Sequence, residues 1–338
     1  MSTDNRKVRF GLWYDFRNPA RWRQPSDRLY GEIFDQIAWA ENHGFDDVWL
    51  SEHHFIDDGY LPAMLPAAAA IAARTKKIRI LLGVLLMPFH NPVRLAEDIA
   101  VVDIISGGRF ELGVGVGYKV EEFEGFAVPF GERGARTNEA LGILRPLLGG
   151  ETVTFKGKFF ELNKVKLTPE PIQKPHPPIW VGGFTPAALR RAARYGDGFT
   201  APGANREVYD RYVAALNTEG KKVTRFAGGM PWLIVSKDPE KTWNEAADHI
   251  IYQNDNYAAW SEKAGQRGIG YIRDREHLRQ SGQFKVVDPD TAIKIISEYT
   301  SSVPMTHFYN WTLPPGLPPS WSQPHLELFA SKVIPAFR

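Results

Sequence analysis

The sequence predicts an α/β fold, a single (β/α)8 TIM barrel with an inserted hairpin and a long excursion before the last strand. Three observations predict it. Short apolar runs rich in β-formers alternate with segments of helical periodicity along the whole chain. Several of those runs are apolar almost throughout, as parallel strands covered on both faces are. No internal repeat and no long linker divides the 338 residues, so one domain spans 1–338, with insertions at about 150–177 and about 255–290.

The elements follow in order. Val8-Arg9-Phe10-Gly11-Leu12-Trp13 alternates and carries β-formers, which makes it the first strand. Asp27 stands where an N-cap would, before a helix over about 28–43 in which Leu29, Ile33, Ile37 and Ala40 recur at helical spacing. Gly44 ends it as a C′ glycine would. In the second strand the apolar run Val48-Trp49-Leu50 stops abruptly at Ser51, Glu52, His53 and His54. That pattern reads as a buried strand whose C-terminal end opens into a site; a surface strand end with two solvated histidines is the plain alternative. Adjacent side chains on a strand point to opposite faces, so His53 and His54 line one cavity only if the chain turns there.

Pro62 to Arg74 is a helix of small residues suited to close packing, and Ile78 to Leu86 is a nearly continuous apolar third strand. Asn91 or Pro92 starts a helix that stops at Ser106-Gly107-Gly108. The remaining strands are Arg109–Gly115, Ile179–Gly183, Gly198–Ala201, a seventh near Met230–Val235, and Thr306–Trp311. The first insertion is a hairpin of Thr152–Phe155 and Phe159–Leu162, followed by an extended Pro169–Pro178 crossing. The second, polar and weakly periodic, reads as a mobile excursion over the barrel mouth.

Composition narrows the function. The 41 Lys and Arg against 39 Asp and Glu leave a formal charge of +2 without runs of one sign, so neither nucleic acid nor a membrane surface is the expected partner. The absence of cysteine excludes disulfides, thiolate catalysis and cysteine-ligated metals. The polar start Met1–Lys7 and the lack of any apolar run near the roughly 20 residues of a membrane helix point to a cytoplasmic protein. The 10 Trp, 12 Tyr and 20 Phe suit a pocket for a flat ligand and equally suit a large core.

Barrel chemistry sits at the C-terminal strand ends. Here those ends carry His53-His54, Gly83-Val84 leading to Phe89 and Asn91, Gly113 through Gly117, and Gly182-Gly183-Phe184-Thr185. So many glycines imply a close approach by something, of which a planar cofactor with a phosphate tail is one example. Thr185 fits an N-cap and Pro186 the first turn of a helix, which offers free amides to an anion; a plain tight turn explains the same residues equally well. The Gly113-x-Gly-x-Gly start lacks its third glycine, since Val120 stands there, so a dinucleotide-binding fold is rejected. Glu52-His53-His54 diverges along a strand and makes no convergent metal site. No Gly-x-Ser-x-Gly elbow exists.

Several motifs together are similar to those of the bacterial-luciferase-like family of flavin-dependent monooxygenases and oxidoreductases. They are Gly44-Phe45-Asp46 leading to Glu52-His53-His54-Phe55, Asn91-Pro92-Val93-Arg94-Leu95-Ala96-Glu97-Asp98, and Ser106 through Gly113. Pro178-Ile179-Trp180-Val181-Gly182-Gly183 and Ala192 through Gly198 continue the likeness over almost the whole chain. The resemblance implies a monooxygenase that uses O2 and reduced FMN, supplied by a separate NAD(P)H:flavin reductase, to oxygenate a small organic substrate. It implies catalytic roles for His53 as acid or base, with His54 less directly involved and Glu52 as an orienting partner. It implies cofactor contacts at Gly83, Val84, Asn91, Gly113, Gly115, Val181, Gly182, Gly183 and Thr185, with a non-prolyl cis peptide at Gly83-Val84. Phe55, Tyr60, Phe89 and Trp311 are the expected pocket wall, and a homodimer is the expected assembly. Val116 replaces the arginine that true luciferases use toward phosphate, and Tyr118 stands near where deazaflavin enzymes of the family carry a glutamate. The alternative is therefore a deazaflavin-dependent (coenzyme F-420) dehydrogenase or reductase that moves hydride without O2. A third reading is a non-catalytic flavin-binding barrel.

Overall fold

In the computed structural model, residues 8–201, 203–230, 232–265 and 269–338 are described. The strands are β1 Arg9–Tyr14, β2 Asp47–Leu50, β3 Arg79–Leu82, β4 Leu85–Leu86, β5 Phe110–Gly115, β6 Thr152–Lys156, β7 Glu161–Lys166, β8 Ile179–Gly182, β9 Gly198–Ala201, β10 Phe226–Met230, β11 Trp232–Val235, β12 Phe284–Val287 and β13 His307–Trp311. The helices are α1 Ser26–Ala40, α2 Met64–Arg74, α3 Pro92–Ser106, α4 Val120–Gly125, α5 Arg133–Leu148, α6 Pro186–Tyr195, α7 Arg206–Thr218, α8 Pro239–Lys263, α9 Arg275–Ser281, α10 Pro289–Ser302 and α11 Pro319–Leu328.

One parallel sheet runs β3-β2-β1-β13-β10-β9-β8-β5-β4, and the β3–β5 pairing closes it. β4 prolongs β3 beyond the Gly83-Val84 peptide, which is cis, so the closed barrel has eight strands with helices between them. The expected TIM barrel is what the chain forms.

Strand alternation divides the core. On β2, Val48 and Leu50 pack outward against the helices, whereas Trp49 joins Leu81, Trp180, Ala227 and Tyr309 in the lumen. Trp13 lies parallel to Trp49, with ring centres 6.4 Å apart, and 4.8 Å from Tyr309. Beneath these rings, at the N-terminal end, Arg9 pairs with Asp47 at 2.7 Å, and Arg79 and Arg225 flank Glu111, which also accepts from Trp180 Nε1 at 2.6 Å. His307 sits in the same layer, and burial keeps its pKa well below the usual histidine range. The lower barrel is thus filled, which leaves chemistry to the mouth.

Five expectations need correction. The seventh barrel strand is Phe226–Met230, not Met230–Val235; Trp232–Val235 pairs instead with Phe284–Val287 outside the barrel. Gly228 and Gly229 made that strand hard to read, yet glycine is needed there. A Cβ would stand 2.6 Å from Met305 Cε at Gly228 and 2.3 Å from the Tyr309 ring at Gly229. The excursion at about 255–290 is largely regular: α8 reaches Lys263, and α9 and β12 follow. Its periodicity is masked because the buried side of α8 includes His249, Gln253 and Ser261; residues 266–268 lie outside the described residues. α1 follows Pro25 without a side-chain cap, and Asp27 lies within its first turn, where an acid favours the helix dipole. That helix ends at Ala40, so Gly44 (φ 92°) belongs to the following turn and is not the C′ residue. The hairpin forms from β6 and β7, but its second arm is Glu161–Lys166 in place of the expected Phe159–Leu162.

Candidate active site

The strand parity that turns Trp49 into the lumen continues past the end of β2. Ser51 bridges Trp13 Nε1 (2.9 Å) and the Tyr60 hydroxyl (2.7 Å). His53, two residues on, faces the same way. Tyr60 and Trp260 surround its ring at 4.9 and 4.8 Å between centres, with Tyr118 and Tyr257 at 5.8 and 5.9 Å. His54 takes the other side, among Phe55, Phe89 and Phe126. The two histidines serve separate surroundings.

Each has its own carboxylate. Glu122 Oε1 lies 2.8 Å from His53 Nδ1 and also accepts the His54 amide at 2.9 Å. An oxygen that accepts one N–H is an acceptor toward the other, so Nδ1–H donates and Nε2 is left toward the aromatic rings. Glu122 is fully buried on α4, and its Oε2 has no partner among the described residues. Glu52 Oε1 accepts from His54 Nε2 at 2.7 Å. Glu52 is thus the partner of His54, and Glu122, which the sequence did not single out, is the partner of His53. The local signal was slight: Glu122 is one of two acids in the first turn of the short α4, just past the strand-end glycines.

The glycine-rich strand ends meet one side chain. A Cβ at Gly115 would stand 2.5 Å from Val84 Cγ2, one at Gly182 2.9 Å from Val84 Cγ1, and one at Gly113 3.4 Å from Val84 Cγ1 after colliding with the Leu82 carbonyl. The close approach these glycines permit is by Val84 itself. Gly83 lies against the Trp49 and Trp13 rings. Val181 is buried in β8, and Asn91 is exposed, its Oδ1 capping α3 by accepting from Val93 and Arg94. At the β8–α6 turn Gly183 has φ 139°, and Thr185 Oγ1 accepts from the Ala188 amide at 3.2 Å. Pro186 has no N–H and Leu189 donates to the Thr185 carbonyl at 3.0 Å, so Ala187 is the first-turn amide of α6 left without an intrahelical partner.

The four expected wall residues fall into two groups. Tyr60 is buried and donates or accepts across 2.9 Å to Tyr257. Trp311 lies 5.8 Å from Tyr257, nearly parallel to it. Phe89 stacks on Phe126 at 4.6 Å beside His54, and Phe55 is 59% exposed at the rim. Tyr257 and Trp260 belong to α8, so the second insertion does cover the mouth. Three bonds pin α8 there: Tyr252 to Asp58 at 3.0 Å, Gln253 to Asp15 at 3.2 Å, and Tyr257 to Tyr60. Burial raises the pKa of Tyr60, Tyr118 and Tyr257, so these hydroxyls stay protonated. Among the described residues no cluster of three or more His, Asp or Glu could hold a metal ion, and no helix is long and apolar enough to cross a membrane.

With this geometry in hand, comparison with known proteins defines the class. The sequence model described as Luciferase-like monooxygenase matches residues 8–296, and the chain belongs to that family. A relative from Nakamurella multipartita, an F420-dependent glucose-6-phosphate dehydrogenase, is 35% identical over 292 residues, 79% of this chain and 83% of its own. A flavin-dependent trigonelline monooxygenase, oxygenase component, from Acinetobacter baylyi is 30% identical over 191 residues, 56% of this chain and 52% of its own. The monooxygenase RslO1 of Streptomyces bottropensis shares the fold at a TM-score of 0.86 and 24% identity, over 98% of this chain and 100% of its own. The family therefore includes oxidoreductases that use either cofactor type.

Proposed function

We propose that the protein is a flavin-dependent monooxygenase that takes reduced FMN from a separate reductase and uses O2 to oxygenate a small organic substrate. The observation that carries this is His53, fixed by Glu122 and enclosed by Tyr60, Tyr118, Tyr257 and Trp260 at the barrel mouth. A reduced flavin, when bound, supplies the electrons for oxygen chemistry. What the chain supplies is a dry wall, a held proton and a place to bind.

The residues fit such a group. The Gly83-Val84 peptide presents a short backbone surface over Trp13 and Trp49, and the start of α6 offers a phosphate the Ala187 amide, beside a turn whose Gly183 amide is held by the Thr200 carbonyl at 3.3 Å. In this reading Gly83 and Val84 form the bed of the flavin ring, Gly113, Gly115 and Val181 back it from within the barrel wall, and Gly182, Gly183 and Thr185 shape the turn that takes the phosphate; Asn91 fixes α3 at its edge. His53 Nε2 holds or removes a proton near the reacting atoms, His54 with Glu52 stiffens the strand end, Tyr60 and Trp311 exclude water, and Phe55 and Phe89 form the outer rim of the wall on the His54 side. A soluble cytoplasmic homodimer completes the proposal.

The second reading is a deazaflavin-dependent dehydrogenase or reductase, favoured by the relative that covers most of both chains. Titration of the protein with FMN and with the deazaflavin coenzyme separates them. FMN should bind at least about tenfold more tightly. Tighter deazaflavin binding, with anaerobic turnover, overturns the monooxygenase reading.

A further inference from the structure

A chain of hydrogen bonds runs from the barrel lumen to α8, and its direction is fixed. Trp13 Nε1 stands 2.9 Å from Ser51 Oγ, Ser51 Oγ 2.7 Å from the Tyr60 hydroxyl, and the Tyr60 hydroxyl 2.9 Å from that of Tyr257. An indole N–H only donates, so Ser51 Oγ accepts at that end. Ser51 is 4% exposed, and its hydroxyl has these two partners alone among the described residues. Its hydrogen therefore goes to Tyr60, since the reverse order would leave a buried donor without an acceptor. Tyr60, itself buried, passes its own hydrogen to Tyr257. Tyr257 accepts, and its remaining hydrogen has no acceptor among the described residues.

The space in front of that hydrogen is open. Trp13, Val84, Tyr118 and Trp311 stand at the ends of β1, β3, β5 and β13, and each is half-buried, as is Tyr257 on α8. The packed lumen below them holds Trp49 and Trp180, which have no exposed surface. His53 offers this space the opposite function. Its Nδ1 is held by Glu122, while its Nε2 makes no hydrogen bond and is not among the fully buried atoms that lack one. The Tyr60 and Tyr257 rings lie 4.9 and 5.9 Å from the His53 ring. One donor and one acceptor thus meet at the mouth.

We propose that this pair binds the hydroxyl of a phenolic substrate: the Tyr257 O–H donates to the phenol oxygen, and the phenol O–H donates to His53 Nε2. A hydroxyl uses both through one atom, whereas a carbonyl leaves Nε2 unpaired and an ammonium leaves Tyr257 unpaired. A flat ring suits the wall, in which Trp260 lies 4.8 Å from His53 and Trp311 nearly parallel to Tyr257. Tyr257 is then a second catalytic residue. When the phenol proton moves to Nε2, the O–H bond breaks, the N–H bond forms, and the electron pair stays on the phenolate oxygen. The Tyr257 O–H holds that oxygen with a bond that strengthens as the charge develops. The inference rests on the oxygenase reading only for the later fate of the ring; recognition of the hydroxyl is independent of the cofactor.

The test therefore omits flavin. The full chain is titrated with 4-nitrophenol and with 4-nitrotoluene, which differ only by hydroxyl for methyl, and quenching of tryptophan fluorescence is followed. Wild type should bind the phenol about tenfold or more tightly. Tyr257→Phe removes the hydroxyl and keeps the ring, so it should abolish most of that preference while leaving the affinity for 4-nitrotoluene unchanged. The absorbance of bound 4-nitrophenol gives a second readout. Donation to the phenolate lowers its apparent pKa in wild type, and Tyr257→Phe should raise it again. Equal binding of the two ligands by wild type, no saturable phenol binding at millimolar concentration, equal weakening of both by Tyr257→Phe, or an unchanged pKa of the bound phenol in that variant overturns the proposal. The wild-type comparison stands even if the variant folds poorly. Phenol-selective binding by a protein that fails to bind FMN would count against the oxygenase reading and leave this result intact.

Discussion

At the scale of single residues, the site is organised by two buried carboxylates that sort two adjacent histidines. His53 and His54 are neighbours in sequence, but strand parity sends them to opposite sides, and Glu122 and Glu52 hold them there. If Nε2 of His53 handles the proton, removing the ring matters most and loosening it matters next. His53→Ala should lower oxygenation with photoreduced FMN by about 10² to 10⁴-fold. Glu122→Gln retains size but weakens the bond to Nδ1, and should shift the pH profile of that activity while leaving the melting temperature nearly unchanged. Unaltered turnover in His53→Ala would remove His53 from the mechanism. Asp15 gives a prediction of different sign. Burial raises its pKa to about 7, so the folded state binds a proton that the unfolded chain has already lost above pH 4 or so. Stability should therefore fall as pH rises from about 4 to about 7. Melting curves across that window should show a flatter slope in Asp15→Asn; an unchanged slope would mean Asp15 is ionised throughout.

At the scale of elements, the active face is assembled from segments with different legibility. The β8–α6 turn could be read directly, because Thr185 and Pro186 carry their positions in their chemistry, and both stand where expected. Thr185→Ala should cost about 1 kcal/mol of stability through the lost cap and should weaken FMN binding several-fold if the turn holds phosphate. A stability loss with unchanged FMN affinity, measured by fluorescence titration, would separate the cap from the phosphate role. α8 was the opposite case. It buries polar residues on the barrel mouth, so the hydrophobic spacing that betrays most helices was diluted. Its Tyr252, Gln253 and Tyr257 find partners only in the folded state, on loops about 190 or more residues earlier in the chain.

At the scale of the molecule, the barrel buries its lower lumen in rings and ion pairs and keeps its polar, reactive groups at the mouth. One outer face is less complete. Val101, Ile104 and Ile105 on α3 are 45%, 40% and 45% exposed, beside Ile172 at 52%. An apolar cluster of this kind on a barrel helix suits a two-fold contact between copies. Light scattering should give twice the 38.1 kDa chain mass, and Ile105→Glu should return it to one. A monomeric wild type would remove the homodimer from the proposal. The α2 helix, with its run of alanines, turns Ala67, Ala68, Ile71 and Ala72 inward, so packing explains most of it. Sequence alone determined the barrel, the strand end that carries His53 and His54, and the capped turn at Thr185, because each depends on spacing or on residue chemistry within a few positions. Only the tertiary structure decided which acid serves which histidine, that Val84 fills the space beside three glycines, that Gly228 and Gly229 are barrel residues, and that Arg17 is buried against Asp58. Those facts depend on groups tens to hundreds of residues apart being brought within contact distance, and no local pattern records them.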